Sequence, residues 1–280
     1  MQEKVREFAF TQRDFDYLRE IANRRTGIVV GEDKFDMFYS RLSRRVRKLG
    51  LRSFSDYCEL IRTEPSECEV LELINSITTN LTSFFRENHH FDYLKQRVLP
   101  ELVERNRMAR RINVWSAGCS TGEEPYSIAI SMREALPDIE EWQIGLLASD
   151  IDSRVLAQAA SAVYPMDRIN GISQPCLRRW FQKGRGGNSG MVRVKPEVSK
   201  MVKFRQVNLM DSWSLEAPLD VIFCRNVIIY FDKRSKAILM NRYADALHDG
   251  GFLFIGHSES LFRLTDRFEL IGNTVYRKKA

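Results

Sequence analysis

The 280-residue chain lacks the features of several large protein classes. No apolar run approaches the roughly 18 residues of a membrane span, and the N-terminal sequence MQEKVREFAF has no signal-peptide hydrophobic core. The five cysteines are scattered without a C-x-x-C pair, and the four histidines have no metal-ligand spacing. We therefore expect a cytoplasmic protein with reduced thiols, no bound metal and no membrane insertion.

Composition and charge narrow the choice of partner. Hydrophobic residues make up 44% of the chain, which is enough for a proper core, and the net charge of +6 suggests an acidic partner. Residues 24–52 contain nine Lys/Arg against three Asp/Glu, whereas residues 53–80 contain one Arg and six Asp/Glu. Nucleic acid is one candidate for this basic patch, but no nucleic-acid-reading motif accompanies it, so we place nucleic acid second.

The N-terminal part of the chain reads as helical. Apolar residues at helical spacing predict helices over residues 14–25 and 34–49, and shorter ones over 54–62 and 70–77, with a turn and cap signal at 63–66. No strand pattern occurs here. We predict an all-α N-terminal domain over residues 1–78, followed by a linker over 79–111.

From residue 112 onward, apolar strands alternate with helices. Strands are predicted at 112–116, 144–149, 201–206, 219–224, 252–255 and 274–277, and helices at 124–135, 153–161, 173–181 and 233–247. This order predicts an α/β domain over residues 112–280 with a mostly parallel sheet, edged by an antiparallel pair at 252–256 and 274–278. The two glycines at positions 250 and 251 predict the end of the last helix. Residues 183–206 read as a small β insertion with β-like runs at 191–195 and 201–206.

The segment INVWSAGCSTGEEPYSIAI (112–130) predicts a ligand site. A strand leads into the turn from Gly118 to Gly122, and a helix then begins with Glu123 and Glu124. A pyrophosphate needs bare N–H groups at a helix start, so these carboxylates argue against a dinucleotide. S-adenosylmethionine fits better, because its ribose suits Asp150 at the end of the next strand and its ammonium and sulfonium suit Glu124. Asp150 could instead cap the following helix.

Three further groups of polar residues are candidates for a functional site, but each also has a simpler structural interpretation. Arg225 and Asn226 follow a buried strand and precede Tyr230, but loop chemistry alone explains such residues. The linker TTNLTSFFR (78–86) could close over a ligand or simply connect two domains. Charged stripes on helices, such as the one predicted for residues 41–48, are more often solvated surface.

Seven motifs in order resemble the CheR family, the chemotaxis receptor methyltransferases of bacteria. They are TTNLTSFFRE, HHF, WSAGCSTGEEPYSIA, ASDID, VNLM, IFCRNVIIYFD and GHSES. The likeness spans nearly the whole chain and includes RLSRRVRKLGL in the N-terminal part. It implies a class I S-adenosylmethionine-dependent methyltransferase domain of Rossmann-like fold, with a β insertion, preceded by an all-α domain.

The resemblance also implies a reaction and its residues. The methyl group of S-adenosylmethionine would pass to glutamate carboxylates of chemoreceptors, giving γ-methyl esters and S-adenosylhomocysteine. Arg86 and Tyr230 would be catalytic. Cofactor-binding residues would be Asn80, Thr82, Arg86, Glu124, Asp150, Asn208, Leu209, Arg225 and Asn226. Such a reaction needs no general base, because a glutamate carboxyl with a pKa of about 4.3 is already ionised at neutral pH.

The implied partners are methyl-accepting chemoreceptors. Their methylation helices would meet a basic stripe of Arg41, Arg44 and Lys48, and a C-terminal receptor peptide would add to a sheet edge of the β insertion near Lys183 and Arg193. Two alternatives remain open from the sequence: a nucleic-acid methyltransferase of the same fold, and a non-enzymatic protein that senses S-adenosylmethionine.

Overall fold

The computed structural model describes residues 6–63, 67–136 and 138–280. Part of the turn predicted at 63–66, and the start of the N-terminal sequence MQEKVREFAF, lie outside these residues. The chain divides into two compact units. The first comprises Met1–Thr79 with Tyr230–Asp232, and the second comprises Asn80–Ile229 with Lys233–Ala280.

The first unit is helical, as predicted. Its helices are α1 (Gln12–Thr26), α2 (Phe35–Lys48), α3 (Phe54–Thr63) and α4 (Glu67–Ile77). A capping box between Thr11 and Asp14 begins α1, and Gly27 ends it at a φ of 73° that favours glycine. Fully buried side chains with helical spacing form its core; they include Phe15, Leu18, Phe38, Leu42 and Phe54. Phe231 forms an antiparallel bridge with Ile28, which explains why Tyr230–Asp232 belongs to this unit.

The second unit contains a seven-stranded sheet and a three-stranded sheet. In chain order the strands are β1 (Arg111–Ala117), β2 (Gln143–Asp150), β3 (Val163–Pro165), β4 (Phe181–Lys183), β5 (Met191–Val194), β6 (Val202–Gln206), β7 (Leu219–Cys224), β8 (Leu247–Ile255), β9 (Phe268–Gly272) and β10 (Val275–Lys278). The helices are α5 (His89–Tyr93), α6 (Leu99–Arg105), α7 (Glu123–Ala135), α8 (Ser153–Ser161), α9 (Gln174–Trp180), α10 (Pro196–Ser199) and α11 (Lys233–Ala246), and a π-helical turn over Leu94–Val98 joins α5 to α6.

The large sheet has the order β6-β2-β1-β7-β8-β10-β9. The strands from β6 to β8 run parallel, and β10 and β9 are antiparallel. All six residues of β7 are buried, as expected for a strand in the middle of a sheet covered on both faces. The chain winds outward from β1 to one side and resumes with β7 on the other. The crevice at the carboxyl ends of β1 and β7 is therefore where an α/β sheet binds its ligand.

The C-terminal edge of the sheet differs from the expectation. The pair β8 and β10 is antiparallel as predicted, but β9, which was not predicted, forms the edge outside it. The segment containing Gly250 and Gly251 lies within β8, whereas it was expected to end α11. Gly250 has a φ of 72°, so it kinks the first part of the strand before the buried run begins at Gly251.

The small sheet also differs from the β insertion expected at 183–206. Its order is β3-β5-β4, with all pairings antiparallel, so it draws strands from residues 163–165 and 181–183 as well as 191–194. Residues 202–206 pair in parallel with β2 as the edge of the large sheet. A three-residue strand such as β3 is too short to show a hydrophobic period, which explains why the sequence pattern did not reveal it.

His90 provides a test of this packing. Its ring is fully buried, and its Nε2 lies 3.0 Å from both the carbonyl oxygen of Asn273 and the hydroxyl of Thr274. Burial, with help from the positive charge of Arg225, lowers the pKa of His90 from 6.5 to about 3. The unfolded chain thus binds this proton at a higher pH than the folded chain. The stability that neutral His90 contributes is therefore fully present above pH 6.5 and is lost as the pH falls toward 3.

We predict that His90→Gln reduces this loss. Denaturant unfolding between these pH values should give a shallower fall in unfolding free energy for the variant, by up to about 1.4 kcal/mol per pH unit. His89→Gln, at the exposed neighbouring histidine, is the matched control and should keep the wild-type slope. Equal slopes for wild type and His90→Gln would show that His90 is charged in the folded protein.

Candidate functional site

The turn after β1 brings backbone close to the neighbouring strand end. Gly118 and Gly122 have φ values of 89° and 97°, and a Cβ at Gly118 would lie 2.4 Å from the Cγ2 of Val227. Glycine is therefore required at Gly118 both by conformation and by space. Ser120, between the two glycines, takes a φ of 51° without being glycine, so the turn needs outside support.

Asp150 supplies that support from the end of β2. Its Oδ2 accepts a hydrogen bond of 2.8 Å from the backbone N–H of Ser120, and its Oδ1 accepts one of 3.0 Å from the N–H of Asp152. Burial raises the pKa of Asp150, while these N–H groups oppose the rise. A carboxylate has about four acceptor positions, so Asp150 can still accept hydrogen bonds from a ligand. The cap of α8 is Asp152, whose side chain accepts from the N–H of Arg154, and this excludes the capping interpretation of Asp150.

The start of the linker is fixed against the same strand ends. The side-chain amide of Asn80 donates to Asp152 over 2.8 Å, and the carbonyl of Asn80 accepts from the hydroxyl of Ser120 over 2.9 Å. Further along, the carbonyl of Thr82 accepts a hydrogen bond from Arg168, which also pairs with the buried Glu123. The sequence did not single out Arg168. These contacts show that residues 80–82 are held against the strand ends and are not a free connection.

A buried ionic cluster lies between the start of α7 and the end of β7. We call it the Arg225 cluster: Glu124, Arg225 and Glu87. Arg225 donates to Glu124 and to Glu87 over 3.0 Å each and also to the carbonyl of Arg86. Glu124 is 8% exposed and also accepts from the hydroxyl of Ser116 over 2.7 Å. The cluster therefore joins α7, the β7 end and the linker.

The carboxylates of this cluster have opposite pKa shifts. Burial raises the pKa of Glu124, and Arg225 opposes this rise. Burial by itself would also raise the pKa of Glu87, but hydrogen bonds and charge from His257 and Arg225 lower this pKa to about 2. Arg225 is thus shared by two carboxylates, Glu87 and Glu124, in a desolvated place. The Nε of Arg225 is buried and has no hydrogen-bond partner among the described residues.

These features fit S-adenosylmethionine. Two largely buried carboxylates that share one guanidinium favour a ligand with a positive group, such as an ammonium, and the free Nε–H of Arg225 calls for an acceptor. Asp150 has acceptor positions left for ribose hydroxyls. Polar groups of both kinds thus converge at the crevice of the sheet.

Glu259 holds the turn after β7 in place, which the sequence interpretation missed. Its carboxylate accepts backbone N–H bonds from Gly256, Asn226 and Ile229 over 2.6, 3.0 and 3.2 Å. Asn226 has a φ of 58°, a left-handed conformation that these bonds stabilise. Glu87 was missed as well. Both acids occur inside quoted motifs, TTNLTSFFRE and GHSES, and an acid directly after a strand or linker turn was the available signal.

The remaining predicted cofactor residues occupy the same edge of the second unit. Asn208 and Leu209 follow Val207, whose N–H donates to the carbonyl of Asp150 over 3.0 Å. Arg86 is less free than expected, because its guanidinium donates to the carbonyl of Leu81 over 2.8 Å.

Four of the predicted catalytic and receptor-binding residues lie outside this edge, in the first unit or in the small sheet. Tyr230 belongs to the first unit, where its carbonyl accepts from the N–H of Val29 over 2.8 Å. Lys183 ends β4, and Arg193 lies in the central strand β5. Arg41 donates to the carbonyls of Ile77 and Thr78 over 2.7 Å each, so it caps α4.

The described part of the chain shows neither a cluster of metal-ligating side chains nor a membrane-spanning helix. It contains no group of three or more His, Cys, Asp or Glu side chains placed to hold a metal ion. None of its described helices is long and apolar enough to cross a membrane.

Comparison with known proteins decides the family. Residues 80–277 match the family described as CheR methyltransferase, SAM binding domain, and residues 13–78 match the one described as CheR methyltransferase, all-alpha domain. The chain belongs to the CheR methyltransferase family. It is an S-adenosylmethionine-dependent methyltransferase of chemotaxis, as the sequence motifs predicted.

Relatives cover nearly the full length of this CheR chain. Chemotaxis protein methyltransferase 2 of Pseudomonas aeruginosa is 44% identical over 272 residues, which cover 96% of this chain and 94% of the relative. Chemotaxis protein methyltransferase of Salmonella typhimurium is 41% identical over 270 residues, which cover 96% and 91%. That of Escherichia coli is 40% identical with the same coverage. The predicted fold class and enzyme class are therefore confirmed.

We predict that Asp150→Asn weakens S-adenosylmethionine binding to this CheR chain by about tenfold or more, since a hydrogen bond to a charged group contributes roughly 1.5–3 kcal/mol. Titration calorimetry measures the affinity. Asp138→Asn, which removes the same charge from an exposed position, is the control and should bind like wild type. Unchanged affinity in Asp150→Asn would remove Asp150 from the binding site.

Proposed function

We propose that this protein transfers the methyl group of S-adenosylmethionine to glutamate side-chain carboxylates of chemoreceptors, forming glutamate γ-methyl esters. The observation that carries the proposal is the Arg225 cluster beside Asp150, in a chain whose family and relatives are chemotaxis methyltransferases. Asn80, Thr82, Arg86, Glu124, Asp150, Asn208, Leu209, Arg225 and Asn226 are the proposed cofactor residues.

The residues around the cluster suit an acceptor that is already ionised. When bound, S-adenosylmethionine supplies a methyl group on a sulfonium, which is a good electrophile. Burial raises the pKa of the Cys119 and Cys224 thiols, so neither is a thiolate nucleophile at neutral pH. A carboxylate acceptor needs neither a nucleophile nor a base from the protein, and what remains for the protein is alignment and the exclusion of water.

Arg86 and Tyr230 are the proposed catalytic residues. Arg86 would steer the incoming carboxylate, and the hydroxyl of Tyr230 would orient the transfer. Both side chains are partly exposed, which a residue that meets an incoming substrate requires.

The direct test is incubation with tritiated S-adenosylmethionine and membranes that contain chemoreceptors. We expect label on the receptor that mild base releases, because esters hydrolyse in base. Tyr230→Phe should keep nearly wild-type cofactor affinity and lose methyl transfer, whereas Asp150→Asn loses affinity first. Base-stable label would contradict the ester, and label on added nucleic acid would favour the nucleic-acid methyltransferase.

The basic stripe of α2 is the proposed contact for receptor methylation helices. Its neighbours are already neutralised within the first unit: Arg45 pairs with Glu69 and Arg47 with Glu7. Arg44 and Lys48 are exposed, lie one helical turn apart and have no partner among the described residues. A short stripe of this kind suits an acidic helix better than a nucleic-acid backbone, which needs a broad basic surface.

We predict that the double reversal Arg44→Glu/Lys48→Glu lowers the rate of receptor methylation by about tenfold at low salt, since rim charges act mainly on association. Cofactor affinity should not change. Arg41 is left intact because its reversal would uncap α4. Arg13→Glu/Arg24→Glu, on two exposed arginines of α1, makes the same change in net charge and should methylate normally. Equal rates for the two double variants would show that the stripe is ordinary solvated surface and does not contact the receptor.

The small sheet is the proposed docking place for a C-terminal receptor peptide. Strand β5, with Arg193, is paired on both sides, so a peptide cannot add to residues 191–194 as the sequence had suggested. Strand β4 has one paired side and ends at Lys183, which makes it the edge to which we assign the peptide strand.

We predict that an immobilised receptor tail retains wild-type protein but not Lys183→Glu. Deleting the tail should lower methylation at dilute enzyme and matter less at high enzyme, because a tether raises local concentration only. Lys203→Glu, on the exposed face of β6, is the control and should be retained. Retention of Lys183→Glu would show that β4 does not receive the peptide.

A further inference from the structure

His257 extends the site toward solvent. It follows β8 directly, and because β8 runs parallel to β7 with Ile255 opposite Cys224, His257 lies beside Arg225 and Asn226 at the carboxyl edge of the sheet. Its side chain is 68% exposed, whereas its partner Glu87 is 11% exposed. An imidazole at the rim is thus anchored to a buried carboxylate.

The contact with Glu87 fixes which ring nitrogen carries a proton. The Nδ1 of His257 lies 2.8 Å from Oε1 of Glu87. Glu87, with its pKa near 2, is an ionised acceptor, so Nδ1 must be the donor. This leaves Nε2, on the opposite side of the ring, as the nitrogen free for a ligand. In the protonated ring Nε2–H is a donor suited to a carboxylate.

The other charged groups around Glu87 and His257 have partners. Arg225 bridges Glu87 and Glu124, and Glu259 accepts backbone N–H groups. His90 lies 3.6 Å from Glu87 but stays neutral, since its pKa is lowered to about 3. Among the described groups in contact with this cluster, His257 is therefore the ionisable one that faces solvent.

We propose that His257, oriented by Glu87, binds the glutamate carboxylate that is to be methylated, through its Nε2–H. This assignment rests on the function proposed above and names a residue for its substrate. His257 acts as a binding group and not as a base, because the substrate carboxylate carries no proton to remove.

The test compares variants with different charge at this position. His257→Gln removes the imidazole, and His257→Lys supplies a positive charge at this position. His248→Gln is the matched control, since His248 is an exposed histidine in the first part of the same strand β8, away from the carboxyl edge. Base-labile transfer of tritium is measured against receptor concentration for each variant.

We expect His257→Gln to raise the receptor KM by about three- to tenfold, with kcat and cofactor affinity changed by less than about twofold. His257→Lys should keep a low KM, and His248→Gln should match wild type. An unchanged KM in His257→Gln, or a KM in His257→Lys as high as in His257→Gln, overturns the proposal. If wild-type protein itself gives no base-labile label, the proposed function fails and the assignment of His257 falls with it.

Discussion

The guanidinium of Arg225, held between Glu124 and Glu87, is the interaction on which the site depends. It joins the first turn of α7, the end of β7 and the linker after Asn80, three segments far apart in the chain. Removing one partner from a buried ion pair leaves an uncompensated charge and typically costs about 3–5 kcal/mol. The three segments therefore keep one arrangement, and the cofactor meets a preformed set of charges.

Carboxylates at this edge also stabilise strained backbone. Residues Phe85, Glu87, Ser120 and Asn226 all have φ values between 51° and 58°, a region that costs a non-glycine residue roughly 1–2 kcal/mol. Asp150 binds the N–H of Ser120, and Glu259 binds the N–H of Asn226. The acids that border the site thus serve its shape as well as its charge, which makes a purely electrostatic account of them incomplete.

Local patterns predicted much of this arrangement. Strand β7, with five apolar residues around Asp220, and the glycine turn followed by acids were visible in the sequence, and so was Asp150 at the end of β2. Family resemblance added Asn208 and Leu209, which no periodicity singles out, and gave Arg225 and Asn80 their proposed cofactor role. The fold elements were predictable where the determining interactions lie within a few residues along the chain.

Long-range pairings were not predictable in the same way. Glu87 and Arg225 are 138 positions apart, and Glu259 reaches back 33 positions to Asn226. Strand β9 buries only Phe268, and its apolar residues Phe268, Leu270 and Ile271 do not alternate regularly with polar ones. Arg41 shows the converse, since a stripe that looked free on a helix contains a residue committed to capping α4.

The central claim is that Glu87 acts on the cofactor site through Arg225. A double-mutant cycle with Glu87→Gln and Arg225→Lys tests it, using calorimetric affinity for S-adenosylhomocysteine, which is stable to turnover. The account predicts that the second substitution adds little to the first, with a coupling energy above about 0.5 kcal/mol. Fully additive losses of affinity would contradict it and would show that the two residues act on the cofactor independently.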